Sequence, residues 1–172
     1  KVKFFQLRLK KGSIKKKIII AKKILQICKK NKVKLIINDD PNLALKVNAH
    51  GCHLGQRDMN IFDARKILKN KIIGVTCHNS IKLARIALSG GADYIALGAF
   101  FKTKTKKVTH KADIKSLIKI KKLINLPVVV IGGINDKNYK KLLLNKADFL
   151  AISGYIWNNK KFKPHQAIKN LI

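Results

Sequence analysis

Residues 36–58 have the sequence IINDDPNLALKVNAHGCHLGQRD, which contains the two short apolar runs that decide the fold. Asp39 follows the first run after a single asparagine, and Asp58 follows the second run, Cys52–Leu54, after a short turn. If the two runs are neighbouring parallel strands, both carboxylates lie past the strand ends, at one edge of the sheet. The 172-residue chain has only eight acidic residues and no glutamate. This pair of aspartates therefore predicts a metal site.

The rest of the chain repeats the pattern of a short apolar run followed by a helical segment. Strands that alternate with helices predict parallel βαβ units, and a run such as Val-Val-Val-Ile is typical of a strand buried on both faces. The chain therefore predicts an α/β fold with seven strands. The predicted strands are Val2–Leu9, Leu35–Ile37, Gly51–Leu54, Ile72–Thr76, Asp93–Leu97, Val128–Ile131 and Phe149–Ile152.

The helices between these strands have recognisable start signals. Ser13 is a good N-cap residue for a helix that ends near Lys30. Pro41 suits the first turn of the next helix, which is predicted over Asn42–Val47. The other predicted helices begin at Asn60 or Asp63 and end near Leu68, cover Ser80–Ser89, Asp113–Ile124 and Asp136–Leu144, and follow Pro164.

Seven strands are one fewer than a (β/α)8 barrel of the TIM type contains. In such barrels ligands bind at the carboxyl ends of the strands, and phosphate often binds after strands 7 and 8. Here the glycine-rich turns, Gly132-Gly133 and Ser153-Gly154, follow the sixth and seventh predicted strands. Both facts predict a barrel whose first strand and helix lie upstream of Lys1 or have been lost. We expect one N-terminally incomplete barrel domain over residues 1–172, with two open strand edges.

The charge and cysteine content limit the classes of function. The net charge is +31, yet lysines are spread over nearly every segment and aromatic residues are not interleaved with them. This pattern favours solvated helix faces over a specific nucleic-acid surface, although it would attract phosphorylated substrates. No apolar run approaches the roughly 20 residues of a membrane span. Three widely spaced cysteines without a CxxC pair favour a reducing cytoplasm. The oligomeric state stays open.

Seven segments, in chain order, are similar to one known family. Together they resemble the thiamine-phosphate synthases, also called thiamine-phosphate pyrophosphorylases, which are (β/α)8 barrels with the thiazole tautomerases as a sister family. The resemblance implies a Mg²⁺-dependent transferase that joins hydroxymethylpyrimidine pyrophosphate to thiazole phosphate, forming thiamine phosphate and pyrophosphate. The segments are QLRLK (6–10), INDD (37–40), GCHLGQRD (51–58), GVTCH (74–78), GADYIALGAFFKTKTKK (91–107), PVVVIGGI (127–134) and AISGYI (151–156).

The resemblance also implies the roles of individual residues. Asp39 and Asp58 match the family's Mg²⁺ ligands, whereas Asp40 is predicted to cap the following helix. Arg8, Thr76 and Lys106 match residues that act on the leaving pyrophosphate and are predicted to be catalytic. The predicted substrate-binding residues are Gln6, Arg8, Lys10, Asn38, Thr76, Thr103, Thr105, Lys106, Gly133, Ile152 and Ser153.

The chemistry of these residue types agrees with those roles. Gln6, Arg8 and Lys10 alternate at a strand end, so their side chains point the same way. The guanidinium fork of Arg and the ammonium of Lys both suit a pyrophosphate. Hard oxygen ligands in small number suit Mg²⁺, which also binds substrate phosphates. Of the histidines, His53 is predicted to be a packed, hydrogen-bonded residue, and His78 does not decide between the two families.

By resemblance, pyrophosphate leaves first and the thiazole nitrogen captures the resulting pyrimidine-methyl cation. Two alternatives remain open. A thiazole tautomerase needs neither a pyrophosphate site nor a metal pair, and the residues predicted for both argue against it. A non-catalytic truncated relative or a basic binding protein would fit the missing first strand and the +31 charge, but such a protein has no reason to retain every predicted ligand.

Overall fold

The computed structural model describes residues 2–103 and 110–171, and within them seven strands alternate with helices. The strands are β1 (Phe4–Leu7), β2 (Lys34–Asn38), β3 (Gly51–Leu54), β4 (Ile72–His78), β5 (Tyr94–Gly98), β6 (Val128–Ile131) and β7 (Phe149–Ala151). The helices are α1 (Ile14–Lys30), α2 (Pro41–Lys46), α3 (Ile61–Leu68), α4 (Ile81–Ser89), α5 (Ile114–Leu123), α6 (Tyr139–Leu144), α7 (Gly154–Trp157) and α8 (Pro164–Lys169). In the described part of the chain, no helix is long and apolar enough to cross a membrane.

The described residues group into two compact units. The first unit runs through Thr76 and includes Ser89–Asp93; the second comprises Cys77–Leu88 and continues from Tyr94. The prediction of a single domain over residues 1–172 stays a prediction. So does the prediction of a further strand and helix before Lys1.

In the first unit, β1 to β4 pair in chain order and run parallel. Leu7 lies opposite Ile37, Ile37 opposite Cys52, and Cys52 opposite Ile73. All residues of β3 and the three central residues of β2 are buried, as expected for parallel strands covered on both faces. Because the strands are parallel and in register, the residues that follow β1, β2 and β3 all leave the sheet at one edge.

In the second unit, β5 to β7 pair in the same way. Gly98 lies opposite Ile131, and Ile131 lies opposite Ala151. The segments that follow these three strands therefore also begin at a common edge. These segments contain Thr103 and the two glycine-rich turns, Gly132-Gly133 and Ser153-Gly154.

The helix caps confirm several predictions. The Ser13 hydroxyl accepts the Lys16 backbone N–H at 3.4 Å, and Asn60 accepts that of Asp63 at 3.0 Å. Asp113 forms a capping box with Ser116, in which each side chain accepts the other's backbone N–H. These side chains satisfy amides at the helix starts that have no partner within the helix.

At the amino ends of the strands, each unit contains an aspartate that accepts the backbone N–H of a strand residue. Asp93 Oδ2 accepts the Ile73 N–H at 2.8 Å, and Asp148 Oδ2 accepts the Val128 N–H at 2.7 Å. Each aspartate follows an alanine and directly precedes a strand, so the two units use the same sequence pattern for the same contact. Each also pairs with a cation from an earlier helix: the pairs are Arg65–Asp93 and Lys121–Asp148, both at 2.7 Å.

Several elements differ from the prediction, and β4 continues to His78 beyond the predicted end at Thr76. β1 ends at Leu7 and not at Leu9. α6 begins at Tyr139 and not at Asp136, because Asn135 and Asn138 form a side-chain-stabilised turn: Asn138 Oδ1 accepts the Asn135 N–H at 2.9 Å. The short helix α7 was not predicted. Its four residues are too few for a helical hydrophobic pattern to appear.

Candidate active site

Gln6 and Asn38 join the ends of the first two strands. The Gln6 Nε2 group donates to the Asn38 Oδ1 atom at 2.8 Å. This contact occupies the carbonyl oxygen of the Asn38 amide and directs its NH₂ group elsewhere, as a donor for an acceptor such as a phosphate oxygen. The structure therefore brings together two of the predicted substrate-binding residues.

A cleft of about 670 Å³ lies beside this pair in the first unit. Arg8 and Lys10 are exposed and alternate with half-buried Leu7 and Leu9, so the predicted alternation continues although β1 itself ends at Leu7. Two cations, an amide and a carboxylate of the predicted site thus border one cavity. The residues that line it are Leu7, Arg8, Leu9, Lys10, Lys17, Ile37, Asn38, Asp39, Asp40, Pro41, Asn42, Leu43 and Met59.

Asp39 and Asp40 have different structural roles. The Asp40 carboxylate accepts the Leu43 N–H at 2.8 Å and caps α2, as predicted. Asp39 has a φ of 68°, in the left-handed region that Asp and Asn tolerate better than most residues, and its N–H donates to the His53 carbonyl at 2.8 Å. The chain therefore turns sharply at Asp39, directly after β2.

Asp58 is fixed by the turn that precedes it. Its Oδ2 atom accepts the Gly55 N–H at 2.6 Å. A Cβ at Gly55 would lie 3.0 Å from that same oxygen, so glycine permits this close contact. The turn thus holds the half-buried Asp58 carboxylate at the end of β3.

The pKa of the buried Cys52 thiol responds to the charges of these carboxylates. Burial, together with the negative charges of Asp40, Asp39 and Asp58, raises the pKa of the Cys52 thiol to about 12. All three carboxylates are therefore close enough to act on one buried atom at the β2–β3 edge. The role of Asp39 and Asp58 as Mg²⁺ ligands stays a prediction.

The donor set suits Mg²⁺ better than a transition metal. Among the described residues, no group of three or more His, Cys or Asp side chains is arranged to hold a metal ion. Mg²⁺ keeps several waters and is commonly bound by one or two carboxylates together with substrate phosphates. Asp39 and Asp58, with the neighbouring Asn38 amide, fit that requirement.

Thr76, two residues before the end of β4, is held by the segment that contains Asp58. His53 Nε2 lies 2.8 Å from the Thr76 Oγ1 atom, and the Gln56 side chain donates to the Thr76 carbonyl oxygen. His53 is buried, with 9% of its surface exposed, which confirms that it is a packed, hydrogen-bonded residue. The sequence did not indicate its contact with Thr76, because that contact depends on how β3 and β4 pair.

In the second unit, two consecutive glycines follow β6. Gly132 and Gly133 have φ values of 105° and 65°, which few other residues adopt. The Gly132 carbonyl accepts the Phe101 N–H at 3.0 Å, and a Cβ at Gly133 would lie 2.4 Å from the Lys102 carbonyl oxygen. The turn therefore requires glycine, because it packs against the segment that leads to Thr103.

The remaining predicted residues are only partly described. Thr103 and Ile152 are half-buried and Ser153 is exposed. Ser153 precedes α7, and its carbonyl accepts the Trp157 N–H at 2.9 Å. Thr105 and Lys106 lie outside the described residues, so their predicted roles stay predictions.

A stacked pair of histidines in the second unit was not predicted. The rings of His78 and His110 stack with their centroids 4.1 Å apart. The Ala99 N–H donates to the His110 carbonyl at 3.0 Å, and Asn79 donates to the Lys111 carbonyl at 2.8 Å. No spacing in the sequence could reveal this contact, because His78 is the last residue of β4 and His110 lies in the segment between β5 and α5.

Comparison with solved structures confirms the fold class. Parallel strands that alternate with helices, with cationic and carboxylate side chains following the strands, are typical of α/β barrel proteins. Thiamine phosphate pyrophosphorylase from Pyrococcus furiosus matches with a TM-score of 0.90 and 30% identity, over 98% of this chain and 80% of that one. A 3-hexulose-6-phosphate synthase matches with a TM-score of 0.73 at 17% identity, over 99% of this chain and 86% of that one, which shows a similar fold only.

Sequence comparison then gives the family. The family model described as thiamine monophosphate synthase matches residues 1–156, and the chain belongs to this family. A thiamine-phosphate synthase from Pelagibacter ubique is 66% identical over 171 residues, which are 99% of this chain and 83% of that protein. One from Marinobacter nauticus is 40% identical over 156 residues, 90% of this chain and 70% of that protein. The predicted family is therefore confirmed.

Proposed function

We propose that the protein synthesises thiamine phosphate by coupling 4-amino-5-hydroxymethyl-2-methylpyrimidine pyrophosphate with thiazole phosphate and releasing pyrophosphate. The main observation in support is the cleft of the first unit, which is bordered by Arg8, Lys10, Asn38 and Asp39. Cations and a carboxylate around one cavity suit a substrate that is a polyanion bound together with a metal ion. The high identity to relatives named for this activity supports the same conclusion.

The cations of the cleft would act on the leaving group. Pyrophosphate gains negative charge as its bond to the pyrimidine methylene carbon breaks. Arg8 and Lys10, which border the cleft, would stabilise this developing charge. The Asn38 NH₂ group, directed by Gln6, would donate to the same group. By family resemblance, Lys106 would add a further cation.

Asp39 and Asp58 would hold Mg²⁺ in this site. When bound, the ion would neutralise charge on the pyrophosphate oxygens, which favours departure of that group. The turn at Asp39 and the Gly55 N–H bond to Asp58 keep both carboxylates at the strand edge before any ligand arrives. The protein thus provides a site with little need for rearrangement.

The coupling needs positioning more than acid–base chemistry. The carbon–oxygen bond to pyrophosphate breaks with its electron pair leaving on oxygen, and the thiazole nitrogen lone pair forms the new carbon–nitrogen bond. No proton has to move in either step, so a nucleophilic or general-base side chain is unnecessary. The buried thiols agree with this view, because burial raises the pKa of Cys77, like that of Cys52, to about 12.

The second unit would bind thiazole phosphate. Gly133 allows the backbone to approach a phosphate closely, and Ile152 and Ser153 would offer backbone amides at the next strand end. Thr103 and Thr105 would contact the same substrate, as the family resemblance implies. These proposed roles can be tested by measuring the binding of thiazole phosphate alone.

The proposal is tested by incubating the purified protein with both substrates and Mg²⁺ and detecting thiamine phosphate by chromatography. Omission of either substrate should abolish the product. Lys10→Ala should lower the rate at least tenfold, whereas Lys11→Ala, a neighbouring exposed lysine that does not line the cleft, should not. Absence of product from the folded, unchanged protein would refute the proposed function.

A further inference from the structure

His53 is a buried polar residue that the proposed chemistry does not use. It lies on β3, and its backbone carbonyl accepts the Asp39 N–H at 2.8 Å. Its ring Nε2 lies 2.8 Å from the Thr76 Oγ1 atom. One residue therefore contacts a proposed metal ligand through its main chain and a proposed substrate-binding residue through its side chain.

Thr76 itself is held firmly except for its hydroxyl. β4 fixes its backbone, and the Gln56 side chain donates to its carbonyl oxygen. The remaining freedom is rotation about χ1 and of the hydroxyl proton, and threonine populates more than one χ1 rotamer. The contact with His53 Nε2 restricts this rotation.

We infer that His53 is a positioning residue that donates its Nε2–H to Thr76 and thereby directs the Thr76 hydroxyl proton toward the pyrimidine pyrophosphate. This inference rests on the proposed function. A hydroxyl has one proton, and pyrophosphate oxygens only accept, so Thr76 can bind them only by donating. The Thr76 oxygen must then accept from His53, which requires the tautomer with hydrogen on Nε2.

Two substitutions at this position separate hydrogen bonding from packing. In His53→Gln, the side-chain NH₂ group reaches approximately the place of Nε2, whereas in His53→Asn it is too short to reach Thr76. We expect His53→Asn to lower kcat/KM about tenfold, which is the effect of losing one neutral hydrogen bond. His53→Gln should keep most of the kcat/KM of the unchanged protein. Both variants should be checked for folding by thermal denaturation.

A double-mutant cycle tests whether His53 acts through Thr76. Thr76→Val removes the hydroxyl and keeps the shape of the side chain. If His53 only positions that hydroxyl, His53→Asn should cause no further loss of kcat/KM in the Thr76→Val background. An equal loss in both backgrounds would mean that His53 acts independently, and the inference would be overturned.

Nitrogen-15 NMR of the imidazole tests the contact without relying on turnover. We expect the tautomer with hydrogen on Nε2, and a shift of that signal in Thr76→Val. The tautomer with hydrogen on Nδ1 would overturn the inference even if the protein makes thiamine phosphate. Conversely, lack of product together with the expected tautomer would refute the proposed function and leave the His53–Thr76 contact standing.

Discussion

At two neighbouring positions, Asp40→Ala should lower the stability and keep the activity, whereas Asp39→Asn should keep the stability and lower the activity. Asp40 caps α2 by accepting the Leu43 N–H at 2.8 Å. Loss of such a cap lowers the free energy of unfolding by about 1 kcal/mol. For a chain of this length, that change corresponds to a fall of roughly 2–4 °C in Tm. Asp40→Ala should therefore be less stable than the unchanged protein and nearly as active.

Asp39→Asn should keep its stability and lose its activity. Asp39 adopts a φ of 68°, which asparagine tolerates as well as aspartate, so the fold should not be strained. The asparagine lacks the charge of the proposed Mg²⁺ ligand. Because a bound metal ion supplies several kcal/mol of charge stabilisation, kcat should fall about a hundredfold or more.

Thermal denaturation followed by circular dichroism and steady-state thiamine phosphate production measure the two effects side by side. Asp40→Asn is the matched control, because asparagine also caps helices while the charge is removed. It should retain both Tm and activity. If Asp39→Asn stays fully active and Asp40→Asn is inactive, Asp40 binds the metal and the reasoning is refuted.

Three further predictions concern the second unit and the thiols. Gly133→Ala should lower the free energy of unfolding by at least about 1 kcal/mol, since its φ of 65° and a backbone carbonyl 2.4 Å from the new Cβ both oppose a side chain; urea denaturation measures this. Asp148→Ala should lower it by about 1–3 kcal/mol, because the Val128 N–H loses its acceptor, and an unchanged urea midpoint would contradict that contact. Cys52 and Cys77 should resist thiol reagents at pH 8 and react only after denaturation, since their pKa values are raised to about 12; rapid labelling of the native protein would contradict their burial.

The strands were predicted best where glycine or proline borders a short apolar run. The predicted bounds of Gly51–Leu54 and Val128–Ile131 are the same as those in the structure. Gly51 begins the first of these strands and Pro127 directly precedes the second, and both residue types interrupt helices. The start of α6 was predicted too early, since Asn135 and Asn138 can equally form side-chain-stabilised turns. Such competition between a helix and a local turn depends on the surrounding packing.

The candidate site was predictable as a set of residues but not as a set of contacts. The motifs named Gln6, Asn38 and Thr76 through resemblance, yet the Gln6–Asn38 bond needs the register between β1 and β2. The His53–Thr76 contact likewise needs the pairing of β3 with β4. A single sequence gives the order of strands along the chain, whereas these contacts depend on strand register.

Phosphorus-31 NMR of the reaction mixture tests the central claim most directly. The unchanged protein is supplied with pyrimidine pyrophosphate, thiazole phosphate and Mg²⁺, and the phosphorus signals are followed over time. The proposal predicts that pyrophosphate and thiamine phosphate appear in equal amounts, and that chelation of Mg²⁺ stops both. Isomerisation of thiazole phosphate without release of pyrophosphate would contradict it and would favour a tautomerase.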